Sequence, residues 1–340
     1  MKKILVTGGC GYIGSHTVVN LIQNNFDVIV LDDLSNSSEF ILDNIKKITG
    51  VKPLFIKCDL KDIKYTEEVI RSNKDIDVVI HFAAHKAVGE SVKNPLKYYQ
   101  NNLLSLINLL IVLEKYNIDN FIFSSSATVY GNPKSVPINE ENKVQRPFSP
   151  YGNTKKIAEE ILEDIAKSNQ DFSVISLRYF NPVGAHSSGL IGELPQGIPN
   201  NLLPFITQTA IGKRNQLLVY GDNYPTPDGT PIRDYIHVVD LADAHVKSVY
   251  RLLNKEQETS FEKFNLGTGN GYSVMEIIKM FEKVSQQKLN YQITEPREGD
   301  VPILYASTEL AERKLKWKAI LNLENMIASS WQWEQNLKKN

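Results

Sequence analysis

Three uninterrupted apolar runs constrain this chain more than anything else in it: Ile4-Leu5-Val6, Val28-Ile29-Val30 and Val78-Val79-Ile80. A strand with one wet face alternates polar and apolar residues. A run that is apolar on both faces needs cover on both, which helices on either side of a parallel sheet supply. The runs belong to six expected strands, at 4–7, 27–31, 53–57, 78–82, 121–124 and 173–178. Helical patterns fall between them at about 12–24, 62–73, 95–116 and 150–168. In the last, Ile157, Ile161 and Ile165 recur every four residues and form one apolar stripe. Repeated β–α units imply right-handed crossovers and a doubly wound α/β sheet.

After Asn181 the texture changes. From Pro182 to Pro231 the chain is rich in Gly, Pro and Asn, with one apolar stretch near 202–211. Loops this long in a compact protein usually shape a site. A strand-like 217–220 and helix-like 239–253, 274–285 and 322–337 follow. The 340 residues suit about two domains. The expected division is a Rossmann-type cofactor domain at 1–180 and a smaller α/β substrate domain at 181–340, partly interleaved with it.

The first strand runs into Gly8-Gly9-Cys10-Gly11-Tyr12-Ile13-Gly14 and then into a helix. Glycines let backbone approach a pyrophosphate, whose charge is met by N–H groups at the helix start. Gly9, Gly11 and Gly14 fit GxGxxG, and Gly8, Gly11 and Gly14 fit the wider GxxGxxG frame. Asp32 ends the next strand, 21 positions after Gly11. Asp32 and Asp33 suit ribose hydroxyls and repel a 2′-phosphate, and no Arg or Lys follows before Lys46, so NAD is expected rather than NADP. Asp59 ends the third strand; its chemistry alone leaves open an adenine contact or a helix cap.

Tyr151 and Lys155 share a helix face at i and i+4, just after Pro150. A free tyrosine, with a pKa of about 10, is a poor base near neutrality. A neighbouring ammonium group favours the phenolate. The strand Phe121-Ile122-Phe123 ends in Ser124-Ser125-Ser126, at the sheet end where ligands sit in open α/β folds. Ser126 can then reach the same substrate hydroxyl as Tyr151.

Other classes are disfavoured. Formal net charge is -1, from 38 basic and 39 acidic residues, which offers no footprint for nucleic acid. No polybasic membrane segment is present, and the apolar stretch 103–113 is too short to span a bilayer. Gly8 and Gly9 interrupt what would otherwise start like a signal peptide. Cys10 and Cys58 are too few for a disulfide framework and lack metal-ligand spacing. A cytoplasmic enzyme without a metal is expected.

The glycine turn, the serine-ended strand and the YxxxK spacing, in this order, resemble the extended short-chain dehydrogenase/reductases. Within these, the chain is similar to the UDP-glucose 4-epimerase family along nearly its whole length. The stretches that carry the likeness are VTGGCGYIGSHT, HFAAHKAVGESV, FSSSATVYG, SPYGNTK, LRYFNPVGAH, GIPNNLLPF, RDYIHVVDLADAH, FNLGTG and REGD. The resemblance implies that Tyr151 is the base, Ser126 its hydroxyl partner, and Lys155 the group that tunes Tyr151 and binds the nicotinamide ribose. It places Gly8, Gly11, Tyr12, Ile13, Asp32, Asn36, Asp59, Leu60, Phe82, Lys86, Asn101, Ser124 and Tyr179 against NAD. It places Asn181, Asn201, Arg233, Arg297 and Asp300 against a UDP-hexose. Arginines suit a diphosphate because the guanidinium fork is always charged and binds two oxygens at once. It also implies a homodimer through 95–116 and 150–168.

The activity so implied is reversible C4 epimerisation of UDP-glucose and UDP-galactose through a transient 4-keto sugar. A UDP-uronic acid epimerase is the alternative of the same kind. A nucleotide-sugar 4,6-dehydratase is disfavoured, because Ala127 and Thr128 stand where dehydratases carry an acidic pair. A non-catalytic NAD sensor is disfavoured by the intact Ser126, Tyr151 and Lys155. Two positions depart from the family pattern, and the first bears on substrate range. Leu304 stands where members carry tyrosine or something smaller, so 2-acetamido sugars are expected to be accepted to some degree. His85 replaces a common leucine.

Overall fold

The computed structural model describes residues 1–133, 135–297 and 300–339. The chain divides into two compact units: 1–131, 143–178 and 242–264 in the first, and 132–142, 179–241 and 265–340 in the second.

The chain begins β1 (Lys3–Thr7), α1 (Tyr12–Gln23), β2 (Asp27–Asp32), α2 (Phe40–Thr49), β3 (Leu54–Lys57), α3 (Ile63–Ser72), β4 (Val78–His81), α4 (Val88–Lys93), α5 (Pro95–Lys115), β5 (Asn120–Ser126), α6 (Pro150–Ser168) and β6 (Ser173–Tyr179). All six expected strands are present, within one or two residues of their expected ends. Strands β1, β2 and β4 are apolar on both faces because helices cover both; Ile4, Val30, Val78 and Val79 are fully buried. β1 pairs in parallel with both β2 and β4, β2 with β3, and β4 with β5.

Chain order continues with β7 (Asn181–Val183), α7 (Leu202–Ala210), β8 (Leu217–Tyr220), β9 (Ile232–Arg233), β10 (Tyr235–His237), α8 (Val238–Leu253), β11 (Phe261–Leu266), β12 (Tyr272–Ser273), α9 (Val274–Ser285), β13 (Tyr291–Thr294), β14 (Ile303–Leu304) and α10 (Leu323–Lys339). The large sheet has the order β11-β6-β5-β4-β1-β2-β3. Its seventh strand, β11, was not expected from the sequence. Three of its six residues are only half-buried and its charged Glu262 and Lys263 blur the pattern. Strand order reverses between β1 and β4, and the carboxyl ends at such a reversal form the ligand crevice of an open α/β sheet.

The core of the first unit is aliphatic and aromatic, from Leu5 and Ile29 through Leu106, Leu109 and Leu113 to Phe121 and Leu162. The second unit has its own core, from Leu203, Ile206 and Val219 to Ile277, Phe281 and Ile327. Its sheets are small. β9 lies between β12 and β14, β7 pairs with β10, and β8 pairs with β13. Among the described residues, no helix is long and apolar enough to cross a membrane.

Candidate active site

The glycine turn closes tightly. Gly11 N donates to the Gly8 carbonyl at 3.1 Å. A Cβ on Gly14 would lie 2.2 Å from that same oxygen. Gly8 has φ +69, and a Cβ there would lie 2.8 Å from the Ala83 nitrogen. Helix α1 starts with no side-chain cap and no acidic residue in its first turn. Helix geometry aims its first N–H groups out of the helix start. Phe82 packs on His245 with ring centroids 4.8 Å apart, and the Lys86 ammonium lies 5.7 Å from the Tyr12 ring centre.

Asp32 ends β2 almost buried, at 8% exposure. It accepts from Cys10 N at 3.0 Å, Leu34 N at 2.9 Å and the Ser37 hydroxyl at 2.7 Å. Burial raises its pKa, against the pull of those three donors. Burial, helped by the Asp32 charge, pushes the Cys10 thiol up as well, so Cys10 is an inert packing residue here. Asn36 and Asp59 are exposed, and Asp59 accepts from Lys61 N at 3.0 Å. Leu60 is buried, and its carbonyl accepts from Asn108. Asn101 accepts from the Lys61 ammonium at 3.1 Å.

Helix α6 is started by Pro150 and capped by Ser149, whose hydroxyl accepts from Gly152 N at 3.1 Å. A Cβ on Gly152 would meet Pro147 at 2.7 Å and Thr128 at 3.2 Å, so glycine lets the helix start lie close to the segment that follows β5. Tyr151 and Lys155 thus fall on one face of the first turns. The Ser126 hydroxyl bonds Tyr151, which favours the phenolate, but burial dominates and pushes the Tyr151 pKa up to about 12. The Lys155 ammonium donates to the Ser124 carbonyl at 2.5 Å and lies 4.8 Å from the Phe123 ring centre. Burial lowers its pKa to about 7, with Glu159 pulling the other way. Behind it, His81 is buried and accepts or donates at 2.8 Å to Thr7; burial and the Lys155 charge lower its pKa to about 3, so it is neutral.

In the second unit, β9 and β14 pair so that Arg233 lies opposite Leu304. Arg233 reaches Asp300 at 3.3 Å. The Arg297 guanidinium lies over the Tyr220 ring, 3.8 Å from its centre. Glu298 and Gly299, the middle of the REGD stretch, lie outside the described residues. Asn181 is the first residue of β7 and pairs opposite Tyr235. Asn201 precedes α7, and its amide donates to Glu193 at 2.7 Å. Tyr179 is buried at the end of β6.

Known proteins match this chain over its full length. A family profile described as GDP-mannose 4,6 dehydratase covers residues 5–330. The UDP-glucose 4-epimerase of Bacillus subtilis (strain 168) is 50% identical over 333 residues, 98% of this chain and 97% of that one. The UDP-glucose 4-epimerase of Drosophila melanogaster is 49% identical over 337 residues, 97% of this chain and 96% of that one. The chain belongs to the UDP-glucose 4-epimerase family. Solved epimerases agree. That from Stenotrophomonas maltophila, with bound NAD and formylated UDP-arabinopyranose, superposes with a TM-score of 0.96 at 43% identity, over 100% of this chain and 99% of its own. That from Bifidobacterium longum, in complex with NAD+ and UDP, gives 0.94 at 46% identity, over 98% of both chains.

Several residues of this epimerase-family chain escape a motif reading. Asn102 on α5 clamps the backbone of His85 from both sides, at 2.8 and 3.0 Å, and donates to Thr154 at 3.0 Å. Thr154 in turn donates to the Tyr151 carbonyl at 2.7 Å. The loop that carries Lys86 is thereby tied to the start of α6. His85 packs its half-buried ring on Tyr98. Asp234, fully buried, accepts from Thr268 N and hydroxyl, Gly269 N and Ala306 N, and so fixes the backbone beside Arg233 and Leu304. Tyr220 supplies the plate under Arg297. His85, Thr154 and Asp234 lie inside stretches that carry the family likeness, whereas Asn102 and Tyr220 lie outside them.

Proposed function

We propose that this chain interconverts UDP-glucose and UDP-galactose by inverting C4 of the hexose, with NAD as a resident cofactor. The observation that carries the reading is the Ser126–Tyr151–Lys155 constellation at the carboxyl end of β5, with Lys155 buried and Ser126 and Tyr151 half-buried. The relatives named above are UDP-glucose 4-epimerases, and solved members hold NAD with UDP or a UDP-sugar.

The residues present fit NAD. The uncapped start of α1 and the backbone of Gly8, Gly11, Tyr12, Ile13 and Gly14 suit its pyrophosphate. Asp32 and Asn36 suit the adenosine ribose, and Asp59 and Leu60 the adenine edge. Phe82, Lys86, Asn101, Ser124 and Tyr179 would line the rest, with Lys155 at the nicotinamide ribose. When bound, NAD supplies the hydride acceptor that takes the sugar through a 4-keto form and returns the hydride to the opposite face.

Tyr151 accepts the proton of the 4-hydroxyl and gives one back. Ser126 holds that hydroxyl and stabilises the phenolate by donating to it. Lys155, fixed on the Ser124 carbonyl, places its amine beside the base and supplies positive charge there when protonated. Asn181, Asn201, Arg233, Arg297 and Asp300 hold the UDP, which carries most of the binding, so the sugar can be held loosely enough to turn. Ala127 and Thr128 offer no acid–base pair for the water elimination that a dehydratase performs.

Leu304 leaves intermediate room at C2 of the sugar, so UDP-GlcNAc and UDP-GalNAc are turned over as secondary substrates. Leu304→Tyr should abolish UDP-GalNAc conversion and keep UDP-galactose conversion within about threefold, since steric exclusion costs more than lost packing. Equal loss of both substrates would remove Leu304 from that role.

The working form is a homodimer in the cytoplasm. Supporting the dimer, Leu96, Leu104, Ile107 and Ile111 stand exposed along α5, Leu96 at 80%. Supporting the compartment, both cysteines are free and buried.

Tyr151→Phe tests the assignment. Turnover of UDP-galactose should fall by about 10²–10⁴. NAD released on denaturation should stay stoichiometric. Near wild-type turnover would remove Tyr151 as the base.

A further inference from the structure

Beneath the Ser126–Tyr151–Lys155 site lies an ion pair that the reaction does not use. Glu159 stands on α6 at i+4 from Lys155 and i+8 from Tyr151, on the same helix face. One of its oxygens accepts from the Ser125 hydroxyl at 2.6 Å, the Ser176 hydroxyl at 2.8 Å and Arg178 Nε at 2.9 Å. The other accepts from Arg178 Nη2 at 2.6 Å. Arg178 also donates to the Tyr130 hydroxyl at 2.8 Å and lies over that ring. Glu159, Arg178, Ser125 and Tyr130 are all buried.

The attachments bracket the catalytic serine. Ser125 precedes Ser126, and Tyr130 closes the 3-10 turn Ala127–Tyr130 that follows it. The residue before Ser125 is Ser124, whose carbonyl holds Lys155. Stability alone does not call for this arrangement, because well-packed apolar residues in place of a buried ion pair are often neutral or stabilising. Its value lies in direction: hydrogen bonds fix the strand end at defined angles where apolar packing would let it slide.

We propose that Glu159, acting through the Ser125 hydroxyl, is a positioning residue that fixes the end of β5, and with it the Ser124 carbonyl that holds Lys155 and the Ser126 hydroxyl that meets Tyr151. The inference rests on the catalytic reading of Tyr151 given above.

Ser125 and Ser176 make a matched test. Each gives one hydroxyl to the same carboxylate oxygen, and each is at most 1% exposed. Only Ser125 is next to the catalytic groups. Ser125→Ala should lower kcat for UDP-galactose about tenfold with KM little changed, the effect of a small misplacement of reacting groups. Ser176→Ala should keep kcat within about twofold while lowering Tm as much as Ser125→Ala does. Equal kcat losses in the two variants, or an unchanged kcat in Ser125→Ala, would overturn the proposal. Tyr151→Phe in the same assay separates the two claims: wild-type turnover there overturns the reading of the site and this inference with it, whereas its loss leaves the serine comparison decisive.

Discussion

Among the described residues, two Arg–carboxylate pairs, one from each unit, differ sharply in how they are held. In the first unit Arg178 and Glu159 meet at 2.6 Å with side chains 2% and 7% exposed, joined by Ser125, Ser176 and Tyr130. In the second unit Arg233 and Asp300 meet at 3.3 Å with side chains 15% and 35% exposed. The first pair is closed on itself, its lone pairs and N–H groups turned inward. The second is a longer, partly exposed contact from a two-residue strand, where the proposed function would have a diphosphate compete for the guanidinium. In the proposed function the first charge stays fixed beneath the reaction and is buried, whereas the second trades partners with the ligand and is left partly wet.

The largest way to break this comparison is to remove one partner of the closed pair. Glu159→Ala leaves a buried guanidinium without its carboxylate and should cost about 3–5 kcal/mol in urea unfolding. A loss below about 1 kcal/mol would mean that the site relaxes and that the pair is not closed. Arg233→Ala should do the reverse. Unfolding stability should stay within about 1 kcal/mol, while loss of a charge-assisted bond to phosphate raises KM for UDP-galactose about ten- to a hundredfold. Stability that drops as far as in Glu159→Ala would erase the distinction.

Lys155 sharpens the comparison at smaller scale, since its ammonium rests on a carbonyl and a ring rather than on a carboxylate. Burial lowers its pKa from 10.5 to about 7. Below pH 7 it is charged in both folded and unfolded chains, so the folded protein bears the whole desolvation penalty. Between pH 7 and about 10 the unfolded chain holds a proton that the folded chain lacks, so stability rises with pH. Lys155→Met should therefore be more stable than wild type by about 1–2 kcal/mol at pH 6, after the lost bond to Ser124 is set against it. That gain should shrink toward pH 10. A pH-independent difference in urea midpoints would argue against the depressed pKa.

The first unit was legible because its elements are long and its strands double-faced. β1, β2 and β4 announced themselves as apolar runs, and Pro150 marked the start of α6. β11 was not, because Phe261-Glu262-Lys263 alternates like a surface segment. In the second unit, β9, β12 and β14 are two residues each, too short for any period to register. Arg233, Arg297, Asp300 and Leu304 were named only through the family likeness, since no local pattern brings residues 233 and 304 opposite each other. Tyr220 and Asp234 act only through the partners that tertiary structure gives them. The role of Glu159 was hidden for the same reason: a glutamate on an amphipathic helix reads as solvated surface until Arg178 is placed against it.

The most direct test of the account gives the purified protein UDP-galactose with no added NAD and follows the anomeric and H4 signals by proton NMR. The account predicts equilibration with UDP-glucose at catalytic turnover, with no net oxidation of sugar and with cofactor retained on the protein. Absence of conversion from a preparation that carries stoichiometric NAD would contradict it.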